Sequence, residues 1–140
     1  MRLHSSKDTF NAFTGKVIQY FYNTHQVRIA MFYFKGKAEG QYIEYFTTGD
    51  VFQQKYYDKG KLNGEFVEYY ENKNIKVKGN FTDDLEDGVW AFYREDGTEK
   101  SAGRYINGFK DNIWHFFDEK EKLYKSEEWK MGSMQRILNY

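Results

Sequence analysis

The chain contains no cysteine. Disulfides, thiolate metal sites and thiol nucleophiles are therefore excluded, and the sequence carries no mark of a redox compartment. Leucine is scarce, and no apolar stripe of period 3.6 runs through any segment, which disfavours helices. No stretch has the apolar length of a membrane span, and the opening MRLHSSKDTF has no apolar run behind its arginine, so it does not read as a secretory signal. The expected location is cytoplasmic. An excess of one charge is missing too: 21 Lys and Arg stand against 21 Asp and Glu, which argues against nucleic-acid binding by the domain as a whole.

What is present is aromatic. Thirteen Tyr, thirteen Phe and three Trp make 21% of 140 residues, with no proline among them. That composition favours strands, and the length suits one all-β domain with a core of its own. Rows of 24 residues starting at Lys16, Gly40, Gly64, Gly88 and Asn112 align without a gap. Position three reads Ile18, Tyr42, Phe66, Trp90, Trp114; position six reads Phe21, Tyr45, Tyr69, Tyr93, Phe117. Position eighteen reads Tyr33, Tyr57, Phe81, Tyr105, Trp129, and position twenty-one is glycine in every row but the third, where it is Asp84. Fixed columns at a fixed period mark a repeat protein. The expected organisation is a cap at 1–15, repeats at 16–39, 40–63, 64–87, 88–111 and 112–135, and an end segment at 136–140.

Each row holds two candidate strands joined by a short polar turn, such as TTGD, ENKN or EDGT, and a longer glycine turn such as KGKLNG leads into the next row. Short turns demand antiparallel neighbours, so five rows predict a meander of about ten strands. An even turn sets Trp90 across from Gly103 and Phe66 across from Gly79, a large ring over a weak strand position. This register predicts one face with Phe66, Tyr70, Ile75, Val77, Phe81, Trp90, Phe92 and Tyr105. The other face then receives the column Phe21, Tyr45, Tyr69, Tyr93 and Phe117, beside Arg28, Lys76, Lys100 and Arg104.

The segment DDLEDGVWAFYREDG, preceded by KGKLNGEFVEYY, resembles the MORN repeat. More narrowly, it is similar to the variant found in the bacterial YwqK family of antitoxins. The resemblance covers residues 16–135 and implies an elongated, twisted antiparallel sheet with one hairpin per repeat, serving as an interaction scaffold. The first row departs from the pattern with Lys16 for the leading glycine and His25 at the turn, and the fifth with Asn112 and Glu121. Atypical outer rows are expected of caps.

Catalytic signals are weak. Glu44 and Glu68 share a column in adjacent rows, but about 10 Å of sheet would separate them on an open face. His4, His25 and His115 have no metal-ligand spacing, and no nucleophile elbow or phosphate loop is present. The reading is a non-enzymatic protein-binding scaffold without cofactor or metal, antitoxin-like or immunity-like, that neutralises a partner by covering it. Tyr45, Tyr69, Tyr93 and Phe117 are the candidate anchors, because tyrosine gives stiff amphipathic contact area. Residues 1–39 carry six basic and two acidic side chains, and residues 64–87 three basic and seven acidic. On that polarity Glu65, Asp83, Asp84, Glu86 and Asp87 would attract a basic partner such as a toxin or effector. Two alternatives stand beside this reading: a peripheral scaffold binding anionic lipid head groups through Arg28, Lys35 and Lys37, and an aromatic choline- or carbohydrate-binding module. Exposed edge strands also admit a homodimer.

Overall fold

A computed structural model describes residues 13–140. The strands are β1 (Gly15–Tyr20), β2 (Val27–Phe34), β3 (Lys37–Ala38), β4 (Gly40–Tyr45), β5 (Val51–Asp58), β6 (Lys61–Leu62), β7 (Gly64–Tyr69), β8 (Ile75–Thr82), β9 (Leu85–Glu86), β10 (Gly88–Tyr93), β11 (Glu99–Ile106), β12 (Phe109–Phe117), β13 (Leu123–Lys130) and β14 (Ser133–Asn139). They form one open antiparallel sheet in the order β1-β2-β4-β5-β7-β8-β10-β11-β12-β13-β14, with β3, β6 and β9 paired onto β2, β5 and β8. The fold is all-β, as expected, but with fourteen strands among the described residues rather than about ten.

The extra strands come from the turn chemistry. What reads in sequence as a long glycine loop is a tight turn whose two central residues both have positive φ: Lys35 and Gly36, Lys59 and Gly60, Asp83 and Asp84, Asn107 and Gly108, Met131 and Gly132. Two consecutive left-handed residues make the mirror-image hairpin turn whose twist matches that of strands. The chain therefore returns at once along the strand it has just left, giving β3, β6, β9, the start of β12, and β14.

Five hairpins, β1–β2, β4–β5, β7–β8, β10–β11 and β12–β13, share one irregularity. Glu44 pairs with Gln53 but Tyr45 with Val51; Glu68 pairs with Val77 but Tyr69 with Ile75; Phe92 pairs with Ser101 but Tyr93 with Glu99. One residue of the second strand is skipped each time, a β-bulge that turns it to the other face. This corrects the expected faces. Ile75 stands with Tyr69, whereas Lys76 reaches Glu68 at 3.9 Å and lies 5.5 Å from the Tyr70 ring, on the face of Phe66 and Trp90. Arg28 and Lys100 occupy the same skipped position in their hairpins. The expected stripe of rings and basic groups thus loses Arg28, Lys76 and Lys100.

The first hairpin is also out of frame with the others by one residue. Gly15 faces Tyr33 and Val17 faces Met31, as Gly40 faces Tyr57 and Tyr42 faces Lys55. Gly15, not Lys16, is therefore the leading glycine, and Tyr20, not Phe21, takes the place of Tyr45. The loop from Phe21 to Gln26 is one residue longer than that from Phe46 to Asp50, which absorbs the slip. Asn23, not His25, carries its left-handed backbone, and Asn112 and Glu121 adopt positive φ in the fifth hairpin without being glycine.

One face, here the ring face, holds the packed side chains. Trp90 pairs with Gly103 and Phe66 with Gly79, as the register predicts. The rings that lie over these glycines nevertheless come from the next hairpin along. A Cβ on Gly79 would sit 2.1 Å from the Trp90 ring, and one on Gly103 would sit 2.0 Å from that of Trp114. Each indole N–H then donates to the carbonyl just beyond its glycine, Trp90 to Asn80 and Trp114 to Arg104, both at 3.1 Å. Phe66, Phe81, Trp90, Tyr105 and Trp114 continue as a chain of ring contacts 5.0–5.9 Å apart. Edge-to-face pairs of this kind add about 0.5–1.5 kcal/mol each beyond burial. Trp114, 2% exposed, is the most deeply buried large side chain.

Candidate functional site

The opposite, open face is built by the alternate residues of the same strands. Along one margin its apolar side chains have nothing to lie under: Val89 is 70% exposed, Phe109 51%, Phe34 49%, Ile113 45%, Leu85 44% and Phe32 41%, whereas Val67, level with Gln54 and Lys78 in the middle of the same face, is 3% exposed. Single exposed apolar groups are ordinary, but a set clustered along one margin of a face marks an interaction surface. Sequence reasoning did not pick out these residues. Val89 and Ile113 share a column with Gln41 and Glu65, and Leu85 and Phe109 one with Lys37 and Lys61, so neither column shows a common residue type; the alternation of the strands was the available signal.

Tyr45, Tyr69, Tyr93 and Phe117 stand at the other margin of this face, each half-buried, paired across the bulge with Val51, Ile75, Glu99 and Leu123. Between the two margins the hairpins β10–β11 and β12–β13 place Ala91, Ala102 and buried Ser126. Larger side chains thus flank a floor that is small at Ala91, Ala102 and Ser126 and is interrupted by His115. Tyr45 also borders a hollow of about 570 Å³ with Lys16, Ile18, His25, Val27 and Ala30.

The tight turns line up along the edge of the sheet nearest Val89 and Phe109. Each is hydrogen-bonded to its predecessor: Gly60 N–H donates to Ala38, Asp84 to Leu62, Gly108 to Glu86 and Gly132 to Lys110, at 2.8–2.9 Å. The first turn residue, whose N–H faces outward, is capped by a side chain of the preceding hairpin. Glu39 accepts from Lys59 at 2.7 Å, Asn63 from Asp83 at 3.1 Å and Asp111 from Met131 at 3.2 Å. This ridge begins basic, with Lys35, Lys37, Lys59 and Lys61, and becomes acidic at Asp83, Asp84, Glu86 and Asp87.

The predicted acidic residues are therefore brought together, but several also hold the turn. Asp84 accepts from the Leu62 N–H at 2.8 Å, Asp83 from the Asn63 amide at 3.2 Å, and Asp87 from the Thr82 hydroxyl at 3.2 Å. Glu65 projects from β7 onto the open face and is exposed. Of the residues considered for lipid head groups, Lys35 and Lys37 share the ridge. Arg28 lies at the far end of β2, roughly 23 Å from Lys35 at about 3.3 Å per residue.

The carboxylates first weighed for catalysis lie on the ring face with Gln53 between them, since Gln53 pairs with Glu44 on one side and Glu68 on the other. Gln53 donates to Glu68 at 3.2 Å, and the Tyr42 hydroxyl contacts Glu44 at 3.4 Å. Burial, followed by the Glu44 charge, pushes the Tyr42 hydroxyl up to about 12. Burial pulls the neighbouring Lys55 ammonium down, with its Nζ 4.6 Å from the centre of the Tyr42 ring. His115 Nδ1 is 3.2 Å from the Ser126 hydroxyl, and His4 lies outside the described residues. Among the described residues no three or more His, Asp or Glu gather to hold a metal ion, and no helix is long and apolar enough to cross a membrane. No protein-family model matches the chain, and no curated protein is detectably similar to it.

Proposed function

We propose that the chain is a non-enzymatic protein-binding scaffold of the MORN type, five hairpin repeats long, that neutralises a basic partner by covering it. The observation that carries this reading is the open face: large apolar groups up to 70% exposed beside an acidic ridge, on a sheet whose other face is filled by its own rings. A sheet held this way presents its surface with little ordering cost, and the ridge charges set orientation and approach rate. Tyr69, Tyr93 and Val89 supply contact area, and Glu65 and Asp87 supply the charge, while Glu86 pairs with Phe81 on the ring-face side of the ridge. Immobilised wild-type chain is expected to retain a basic protein from its source cell. Glu65→Lys with Asp87→Lys should lose that protein while the far-UV spectrum stays unchanged. Equal retention by both would refute the reading.

A second reading draws support from the basic half of the same ridge, where Lys37 packs across Gly60 and lies close to Lys59 and Lys61. That half suits anionic lipid head groups. Flotation with vesicles containing phosphatidylserine, lost in high salt, would favour it over the protein partner.

A further inference from the structure

The order of charge along the ridge and of apolar groups on the open face has a symmetry that one basic partner does not use. Counting strands across the sheet, the midpoint of the first ten lies between β7 and β8. On either side, β2 carries exposed Phe32 and Phe34 and β12 carries exposed Phe109 and Ile113; β5 carries exposed Tyr56 and β10 exposed Val89. Nearer the midpoint, β7 presents Glu65 and β8 presents Lys78, both exposed. On the ridge, Lys59 and Lys61 precede the midpoint and Asp83 and Asp87 follow it.

We infer that the open face is covered by a second copy of this chain, packed face to face about a two-fold axis that runs parallel to the strands between β7 and β8. Such an axis lays β2 over β12 of the second copy, β5 over β10, and β7 over β8, with ridge above ridge. Phe32 and Phe34 then meet Phe109 and Ile113, Tyr56 meets Val89, and Glu65 meets Lys78, while Leu85 comes over Asp58 and β14 lies outside the contact. The basic stretch of one ridge lies over the acidic stretch of the other. A two-fold contact must be self-complementary in this sense, because each surface serves as its own partner. Twisted sheets pack in this way at about 10 Å with nearly aligned strands, as in a sandwich. The apolar groups supply the affinity, while the rim charges fix the pairing and discriminate against other arrangements. An edge-to-edge dimer through β14 would leave the open face bare.

The inference stands apart from the identity of any partner, and its test needs none. Sedimentation velocity over a dilution series is expected to show the mass of two chains at high concentration and of one at low. Lys37→Glu with Lys61→Glu and Lys78→Glu makes both halves acidic, and Glu65→Lys with Asp83→Lys and Asp87→Lys makes both basic. Each variant alone should remain a single chain, and an equimolar mixture of the two should recover the mass of a pair. Wild type that never exceeds one chain would overturn the inference, as would variants that pair alone or a mixture that fails to pair. Val89→Thr with Ile113→Thr keeps β-branching and serves if the charge variants do not fold. It should weaken the wild-type dimer at least about tenfold, and unchanged dimerisation would count against the proposed face. A second copy and a basic partner would compete for this face, so wild type that stays a single chain yet retains a basic protein overturns the dimer alone, and a dimer that retains none overturns the capture reading alone.

Discussion

Strands β8 to β12 and strands β4 to β7 have the same register on the ring face but fill it differently. In the first region Gly79 and Gly103 leave room for an indole to lie flat on the backbone and donate to a carbonyl across the strand. In the second the matching position is Lys55, with Tyr42 beside it, and the row across the strands reads Glu44, Gln53 and Glu68. The missing Cβ decides which surface results. Where the floor is glycine, rings pack edge to face and bury one another. Where it is lysine, the ring cannot descend, and a polar network covers the sheet instead. Gly79 and Gly103 are therefore glycines for space rather than for backbone conformation, since neither has positive φ.

The sharpest way to break this contrast is Gly103→Ala. Its Cβ would overlap the Trp114 ring, so the indole must leave its site and give up its hydrogen bond. Overpacking together with loss of a buried bond is expected to cost about 3 kcal/mol or more in denaturant unfolding. Gly40→Ala meets open space and strains only its backbone, at φ 76°. It should cost about 1–2 kcal/mol, so equal losses at the two sites would remove the proposed role of the indole.

The rings and turn glycines of this pattern were legible in the sequence because each recurs as one residue type at one spacing: Trp90 with Trp114, Gly79 with Gly103, Gly36 with Gly60. The register followed from them and places Trp90 opposite Gly103. The bulge was not legible, because the skipped positions Arg28, Phe52, Lys76, Lys100 and Tyr124 share no chemistry. Only the backbone treats them alike, so the face of every residue beyond them was read one step out. The first hairpin hid its frame for a related reason. Its longer loop displaces β1, while the neighbouring Ile18 and Phe21 happen to be apolar enough to fill the displaced columns. Of the candidate site, the acidic residues and the ring column were visible as residue types. The exposed margin of Val89, Phe109 and Ile113 depends on what fails to cover them, which no local pattern records.

A smaller effect separates the two regions by pH. The Tyr42 hydroxyl titrates at about 12 in the fold, against about 10 for an unfolded tyrosine. A raised folded value gives stability that is complete below about pH 10 and is lost as pH climbs through the folded value. Tyr42→Phe should therefore flatten the alkaline decline in melting temperature more than Tyr105→Phe does, although burial and the Glu86 charge push that hydroxyl up too. An identical decline in wild type and Tyr42→Phe would show that the polar network of β4 to β7 does not control it.

The division of labour between the faces is tested most directly by denaturant unfolding of Val89→Thr with Ile113→Thr beside Trp114→Leu, at a dilution where the chain is single. The account predicts that the open-face pair stays within about 0.5 kcal/mol of wild type, as surface changes do, while the ring-face change loses about 2–4 kcal/mol through an unfilled indole site. Comparable losses from both would mean that the exposed margin is framework and not a surface kept for a partner.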